Sequence, residues 1–353
     1  MMLPYRHIHF IGIGGVGMVA LAEVLSAAGH TITGSDLAES TATARLRKSG
    51  VAVYRGHTAD NVLGADLIVA SSAVPPDNPE LVAGRAAGTT IWKRAELLGA
   101  LTRVRRSILV SGTHGKTTTS AMVAQVLEAA GLSPTFLVGG DLRGLGTGAR
   151  LGEGPWLVAE ADEFDRSFLR MSPWLALVTN VEADHLDYYG TIEAIQEAFQ
   201  QFIGSVPADG LAVLGVDSPR ATQLACYCRG RVVTYGLDGE AEWQARSIRP
   251  NDAGGNDFVV WQAGQQWGAV SLQVPGRHNV ANALAAIAAA KATGAETEAI
   301  QRGLRDFQGT GRRFERQGAY NGAVLYDDYA HHPTEVRATL AAARELRPAR
   351  IWA

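Results

Sequence analysis

The stretch Ser111-Gly112-Thr113-His114-Gly115-Lys116-Thr117-Thr118-Thr119 constrains this chain more than any other. Ser107-Ile108-Leu109-Val110 precedes it as a short apolar run that reads as a buried strand, and Ala121 to Ala130 follows as a helix free of Gly and Pro. Strand, glycine loop, Lys-Thr and helix together make a cradle for a nucleoside triphosphate. Backbone N–H groups of a tight glycine loop converge on phosphate oxygens, and the helix behind points its positive end at them. Lys116 adds a mobile cation for the β- and γ-phosphates, and Thr117 a hydroxyl for Mg²⁺. The strict phosphate-loop pattern asks for Gly at position 110, where this chain has Val110, so a shorter Gly-x-x-Gly-Lys-Thr loop remains.

Composition narrows the class. A chain of 353 residues has room for two to three domains, and 46% apolar with 19% charged residues is a soluble globular balance. A net charge of −3 provides no basic field for nucleic acid or an anionic membrane. Two cysteines, Cys226 and Cys228, form no disulfide framework and suit a reducing compartment; they read as buried thiols sharing one face of a strand. No secretory signal is visible, and the Ala-rich run Val280 to Ala290 is too short for a bilayer and carries Asn282. A cytoplasmic protein without membrane insertion is expected.

The chain opens with a strand, Ile8-His9-Phe10-Ile11, then Gly12-Ile13-Gly14-Gly15-Val16-Gly17 and a helix from Met18 to Ala28. Glycines at 12, 14 and 17 meet the dinucleotide fingerprint, and Ser35-Asp36 closes the next strand at the distance where an acid reaches a ribose. Such a loop serves NAD or any other diphosphate, that of a UDP-sugar included. Further β/α units follow through His57 and Ser71-Ser72 to a helix near Ala95 to Leu101, so an α/β fold with a doubly wound parallel sheet is expected. The charged link Arg103 to Arg106 marks one boundary and the glycine-arginine link Gln308 to Glu315 a second, and they divide the chain into residues 1–102, 103–308 and 309–353.

In the second unit, Trp156-Leu157-Val158-Ala159 ends in Glu160-Ala161-Asp162-Glu163, and Leu175 to Asn180 ends in Val181-Glu182-Ala183-Asp184-His185. Both acidic clusters lie just past strands, on the edge where open α/β sheets take ligands. Glu160 and His185 are therefore candidates to hold metal beside Thr117, because Mg²⁺ takes hard ligands. From Arg231 to Pro275 the pattern becomes short alternating strands, an expected antiparallel appendage. Gly276-Arg277-His278-Asn279 opens an Ala-rich helix with Asn279 and Asn282 on one face. In the third unit a strand, Ala323 to Tyr326, a helix, Thr334 to Leu346, and the start of another strand cannot bury a core, so this unit reads as cut short.

Five motifs stand in order: Gly-Thr-His-Gly-Lys-Thr-Thr-Thr, Glu-Ala-Asp-Glu, Thr-Asn-Val-Glu-Ala-Asp-His-Leu-Asp, Gly-Arg-His-Asn-Val-Ala-Asn-Ala and Asp-Asp-Tyr-Ala-His-His-Pro-Thr-Glu. Together they resemble the Mur ligases, the ATP-dependent amide-forming enzymes of peptidoglycan synthesis, along essentially the whole chain. The resemblance accounts for Val110, since that family uses the shorter loop. It implies a Rossmann-like N-terminal domain, a central ATPase domain with a parallel sheet plus a small antiparallel sheet, and a truncated Rossmann-like C-terminal domain. Within the family, Gly-Ile-Gly-Gly-Val-Gly-Met and Gly-Thr-His-Gly-Lys resemble the branch that joins L-alanine to UDP-N-acetylmuramate. Later-acting branches use a carbamylated lysine, whereas here no lysine stands between Lys116 and Lys291 and the approximate position holds Gln200.

The resemblance implies a reaction in which ATP phosphorylates the lactyl carboxylate of UDP-N-acetylmuramate and the amine of L-alanine attacks the acyl phosphate. By family position Lys116 and His185 are catalytic. Gly112, Thr113, His114, Gly115, Lys116, Thr117 and Thr118 hold the ATP phosphates. His278, Asn279 and Asn282 lie at the adenine, and Arg313, Asp328 and His331 close from the third domain. Thr117 and Glu160 would hold one Mg²⁺ and His185 a second. Gly12, Gly14, Gly15, Val16 and Gly17 would carry the UDP diphosphate, with Ser35, Asp36, His57 and Ser71 nearby. Three other readings stay open: the recycling ligase that adds a tripeptide to the same nucleotide, a nucleotide-dependent dehydrogenase, and a UDP-sugar binder without catalysis. The short third unit leads to the expectation of a chain that binds the UDP-sugar but ligates alanine poorly.

Overall fold

Short apolar runs become the central strands of a five-stranded parallel sheet and of a ten-stranded mixed sheet. A computed structural model describes residues 2–353. The first sheet comprises β1 (His7–Ile11), β2 (Thr31–Asp36), β3 (Ala52–Arg55), β4 (Leu67–Ala70) and β5 (Thr90–Lys93) in the order β3-β2-β1-β4-β5. All of its pairs are parallel. The strand order reverses between β1 and β4, so a crevice opens there past their carboxyl ends. Gly12 follows β1 with a φ of 76°, and a Cβ on it would stand 3.2 Å from the Cβ of Ser71, the residue after β4. The helix Val16–Ala27 begins two residues earlier than expected, directly on the glycine loop.

The second sheet contains β6 (Arg106–Ser111), β7 (Thr135–Leu142), β8 (Thr147–Arg150), β9 (Trp156–Glu160), β10 (Leu175–Val178), β11 (Leu211–Gly215), β12 (Arg231–Gly236), β13 (Trp243–Pro250), β14 (Asn256–Gln262) and β15 (Gln265–Ser271). Its order is β15-β14-β13-β12-β11-β10-β6-β9-β7-β8. β6 therefore lies between β9 and β10, parallel to both. That placement delivers the phosphate loop and the two acidic loops to one edge. The expected antiparallel appendage is continuous with the parallel sheet: β12 pairs parallel with β11, β13 joins it at Tyr235 and Trp243, and antiparallel β14 and β15 extend the same sheet. Alternation identified these strands, but a period of two carries no information about which edge they join.

The helix Lys116–Ala129 runs behind the phosphate loop, packed against the Ala-rich helix Arg277–Ala292, whose residues from Val280 to Ala290 are nearly all buried. Small side chains allow that close approach. The helix Arg94–Val104 joins the first two sheets: a Cβ on Gly99 would meet the Arg170 carbonyl at 2.3 Å, and Thr102 Oγ1 accepts from the Ser172 N–H at 3.0 Å. One apolar cluster runs without a break from Ile8 and Leu25 through Leu97 and Leu101 to Phe168, Phe199 and Phe202.

In the third region, β16 (Glu315–Tyr320) and β17 (Ala323–Asp327) form an antiparallel hairpin, followed by the helix Pro333–Glu345. The first of these strands is missing from the sequence reading because Glu-Arg-Gln-Gly-Ala-Tyr carries no apolar run. The turn that makes it, Asn321-Gly322, has both residues at positive φ, the Asn-Gly hairpin signal. The region is largely exposed, Ala342 being the buried residue of its helix. Glu345 anchors it by accepting from Gly276 N–H at 3.0 Å and Asn256 Nδ2 at 3.1 Å. The two cysteines also differ from expectation: Cys226 is exposed and the pair lies at a 3₁₀ turn, Leu224–Tyr227, rather than on a strand. Among the described residues no helix is long and apolar enough to cross a membrane.

Candidate active site

The phosphate loop is held from its side by the end of β10. Thr113 N–H donates to the Asn180 carbonyl at 3.1 Å, and His114 N–H to Asn180 Oδ1 at 2.9 Å. Thr179 Oγ1 donates to the His114 carbonyl at 2.6 Å. Gly112, at φ 127°, leaves no room for a side chain, since a Cβ would lie 2.1 Å from Thr179 Oγ1. Gly115, at φ 82°, turns the chain straight into the helix that starts at Lys116. The left-handed conformation at that point is one that L side chains resist.

Lys116 Nζ donates to Gly112 O at 2.8 Å and to both oxygens of Glu163 at 2.9 Å, with Asp162 at 3.9 Å. Burial works against the ammonium, but the facing Glu163 and Asp162 outweigh it and raise its pKa, so Lys116 stays charged. The sequence reading placed Glu163 within an acidic cluster without seeing that it would pair with the loop lysine.

Glu160, at the end of β9, accepts from Thr117 Oγ1 at 3.2 Å, from Ser120 Oγ at 3.4 Å and from Gly139 N–H. A Cβ on Gly139 would stand 2.9 Å from its carboxylate, so this glycine is what lets the acid lie there. Burial raises the Glu160 pKa, a penalty that a nearby cation would remove. A hydroxyl and an enclosed carboxylate are a hard-oxygen set of the kind Mg²⁺ takes. His185, at φ 54°, leads into the turn Leu186–Tyr189 with Nε2 3.8 Å from Asp184 and Phe164 edge-on at 4.9 Å.

Two cavities meet at this loop. One of about 190 Å³ is lined by His114, Gly115, Thr117, Thr118, His278, Asn279, Asn282, Arg313 and Asp328, nine of the expected nucleotide contacts. Within it Asn282 Nδ2 donates to Asn279 Oδ1 at 3.3 Å. The other, a cleft of about 890 Å³, brings Thr113, Lys116, Thr117, Glu160 and His185 together with Val16 and Arg45 of the first sheet's helices and with Arg313 and His331 of the third region. Gly112 lines neither and acts through the loop's shape.

Residues 7–106 match the Mur ligase family catalytic domain, residues 110–290 the Mur ligase middle domain, and residues 312–353 the Mur ligase glutamate ligase domain. The chain is 48% identical over 339 residues to UDP-N-acetylmuramate–L-alanine ligase of Geotalea daltonii, covering 96% of this chain and 74% of that protein.

The chain belongs to the Mur ligase family.

It is also 50% identical over 354 residues to the ligase of the same name from Laribacter hongkongensis, across 98% of this chain and 75% of that Mur ligase. Among solved Mur ligases, UDP-N-acetylmuramate-alanine ligase from Thermotoga maritima superposes with a TM-score of 0.85 at 34% identity, covering 96% of this chain and 78% of that one. The UDP-N-acetylmuramate:L-alanyl-gamma-D-glutamyl-meso-diaminopimelate ligase from Neisseria meningitides follows at TM-score 0.79 and 32% identity, covering 87% and 99%. Nothing in these matches supports the poor activity expected from the sequence.

The first domain of this Mur ligase differs in detail from the sequence reading. Gly14 N–H donates to Asp36 Oδ2 at 2.8 Å, so Asp36 pins the glycine loop as well as bordering it. Ser35, expected near the diphosphate, is fully buried, and its hydroxyl donates to Glu80 at 2.6 Å. His57 Nδ1 lies 3.1 Å from the same carboxylate, and Asn61 Nδ2 donates to it at 2.6 Å. Glu80, the hub of this network, is wholly buried on the helix Pro79–Ala86 and was missed, because an acid in the first turn of a helix reads as a solvated side chain until packing buries it.

Proposed function

We propose that this chain joins L-alanine to UDP-N-acetylmuramate with hydrolysis of ATP to ADP and phosphate. Curated relatives at 48% and 50% identity carry that name. The observation that carries the reading is the shared cleft: the phosphate loop faces the helix Val16–Ala27, with Arg313 and His331 on the third side. An acceptor held by its diphosphate on Gly12, Gly14, Gly15 and Gly17 would extend its lactyl carboxylate toward Lys116. On nucleotide binding Lys116 would exchange Glu163 for the γ-phosphate. Charge neutralisation and alignment are the main protein contributions to phosphoryl transfer. Mg²⁺ held by Thr117 and Glu160, and a second held by His185, would supply further positive charge to the phosphates. Asn279, Asn282 and His278 would hold adenine, and Arg313, Asp328 and His331 would shield the reacting groups from water. Both nucleotide substrates belong to the cytoplasm, where this reaction is placed.

The test is product analysis by mass after incubation with ATP, Mg²⁺, UDP-N-acetylmuramate and a mixture of L-alanine, glycine, L-serine and the L-alanyl-γ-D-glutamyl-meso-diaminopimelate tripeptide. The alanine adduct with equimolar ADP is expected. A tripeptide adduct would assign the recycling reaction instead, and no adduct with bound UDP-sugar would assign a binder. NADH turnover in place of ADP release would overturn the ligase reading altogether.

A further inference from the structure

Where the third region meets the phosphate loop, four side chains converge, three of which have no role in the ligation described above. His114 Nδ1 lies 3.3 Å from Glu335 Oε1, and its Nε2 lies 3.4 Å from Glu182 Oε2. That Nε2 is buried and makes no hydrogen bond. The His332 ring packs on the His114 ring at 4.5 Å, with Nδ1 3.8 Å from Glu182 Oε2. Thr334 Oγ1 donates to the same Glu182 oxygen, Oε2, at 2.7 Å.

One ligand atom each from His114, Glu182 and His332 lies within 4.8 Å of the others. Around a tetrahedral zinc with bonds of about 2.0–2.1 Å, neighbouring ligand atoms stand about 3.3 Å apart. Closing the observed 3.4 and 3.8 Å separations to Glu182, and an imidazole–imidazole separation within 4.8 Å, onto that geometry needs the three side chains to draw together. His332 Nδ1 would give up a 3.3 Å bond from Thr334 N–H. Glu335 stands where an acid behind a metal-binding imidazole stands: by accepting from Nδ1–H it leaves the Nε2 lone pair facing Glu182 and His332. Two imidazoles and a carboxylate favour zinc over magnesium, which prefers oxygen and water. Two carboxylates against the single guanidinium of Arg313, 3.8 Å from Glu335, leave room for a divalent charge.

We propose that His114, Glu182 and His332 form a Zn²⁺ site that ties the third region to the phosphate loop, with Glu335 positioning His114. The site is separate from the Mg²⁺ set of Thr117, Glu160 and His185. It rests on these contacts alone and stands whichever amino acid the chain ligates.

The experiment is equilibrium dialysis of the whole chain with Zn²⁺ in saturating Mg²⁺, in a Cys226→Ser/Cys228→Ser background that removes the thiols as ligands, followed by zinc X-ray absorption. One zinc per chain with two imidazole ligands is expected. His332→Asn, which retains a helix-capping side chain, should weaken zinc binding at least tenfold and leave a one-imidazole spectrum. Glu335→Gln should weaken it about tenfold while both imidazoles persist at saturation. Unchanged affinity in His332→Asn, or a one-imidazole spectrum in the parent, would overturn the site. Unchanged affinity in Glu335→Gln would overturn the positioning role.

Discussion

Lys116 Nζ stands 2.9 Å from both carboxylate oxygens of Glu163, a residue 47 positions further along the chain. The loop lysine is thus parked on an internal anion, with Gly112 O as a third acceptor. By the proposed reaction, a phosphate entering the loop would exchange one anionic partner for another, and the lysine would stay charged in both states.

Lys116→Ala should reduce ADP release by about a hundredfold or more, the scale for removing one preorganised group from a developing charge. Steady-state kinetics with ATP and UDP-N-acetylmuramate measures it. Normal turnover would refute the assigned role.

Glu163→Gln should destabilise the nucleotide-free chain by about 3 kcal/mol, because removing one member of a buried pair strands the other charge. The Glu163 side chain is 3% exposed and that of Lys116 16% exposed, so solvent offers little compensation. Urea denaturation reads the loss, and ATP should recover much of it. Equal midpoints without ATP would show that Lys116 finds another partner.

Glu80 makes the first domain acid-sensitive. Burial works to raise its pKa, but the His9 imidazole 3.7 Å away and the hydrogen bonds from Ser35 and Asn61 outweigh this and lower it below the ordinary 4.5. His57 and His9 are the titratable groups that face it. A carboxyl with a lowered folded pKa contributes stability that is present above 4.5 and lost as pH falls through the folded value. Thermal unfolding of the wild type should weaken over that acid window. Glu80→Gln should be less stable at neutral pH and should lack that part of the acid loss; parallel pH profiles would contradict this.

Gly139→Ala should disturb the Glu160 carboxylate, which a new Cβ would meet at 2.9 and 3.0 Å. The Mg²⁺ concentration for half-maximal activity should rise about tenfold, the scale for losing a group that orients a metal ligand. An unchanged Mg²⁺ dependence would separate Glu160 from the metal.

What the sequence settles by itself is local. The apolar run before Ser111, the glycines at 112 and 115 and the uninterrupted helix after them specify a phosphate cradle because each feature acts within a few residues. The same holds for the loop after β1 and for Asn279 and Asn282, whose common face follows from helical period alone. One cavity accordingly gathers nine of the residues expected to contact nucleotide. Tertiary structure decides everything that depends on which strand lies beside which. Setting β6 between β9 and β10 brings Glu160, Glu163 and Asn180 to one loop across dozens of residues. Packing within the first domain makes Glu80 a buried hub and turns Ser35 inward, and strand pairing in the second sheet fuses the antiparallel strands to the parallel ones. Docking the third region sets Glu335 against His114. Side-chain periodicity reports which face of an element is buried, whereas pairing order and helix docking are chosen by the packing energy of the whole molecule.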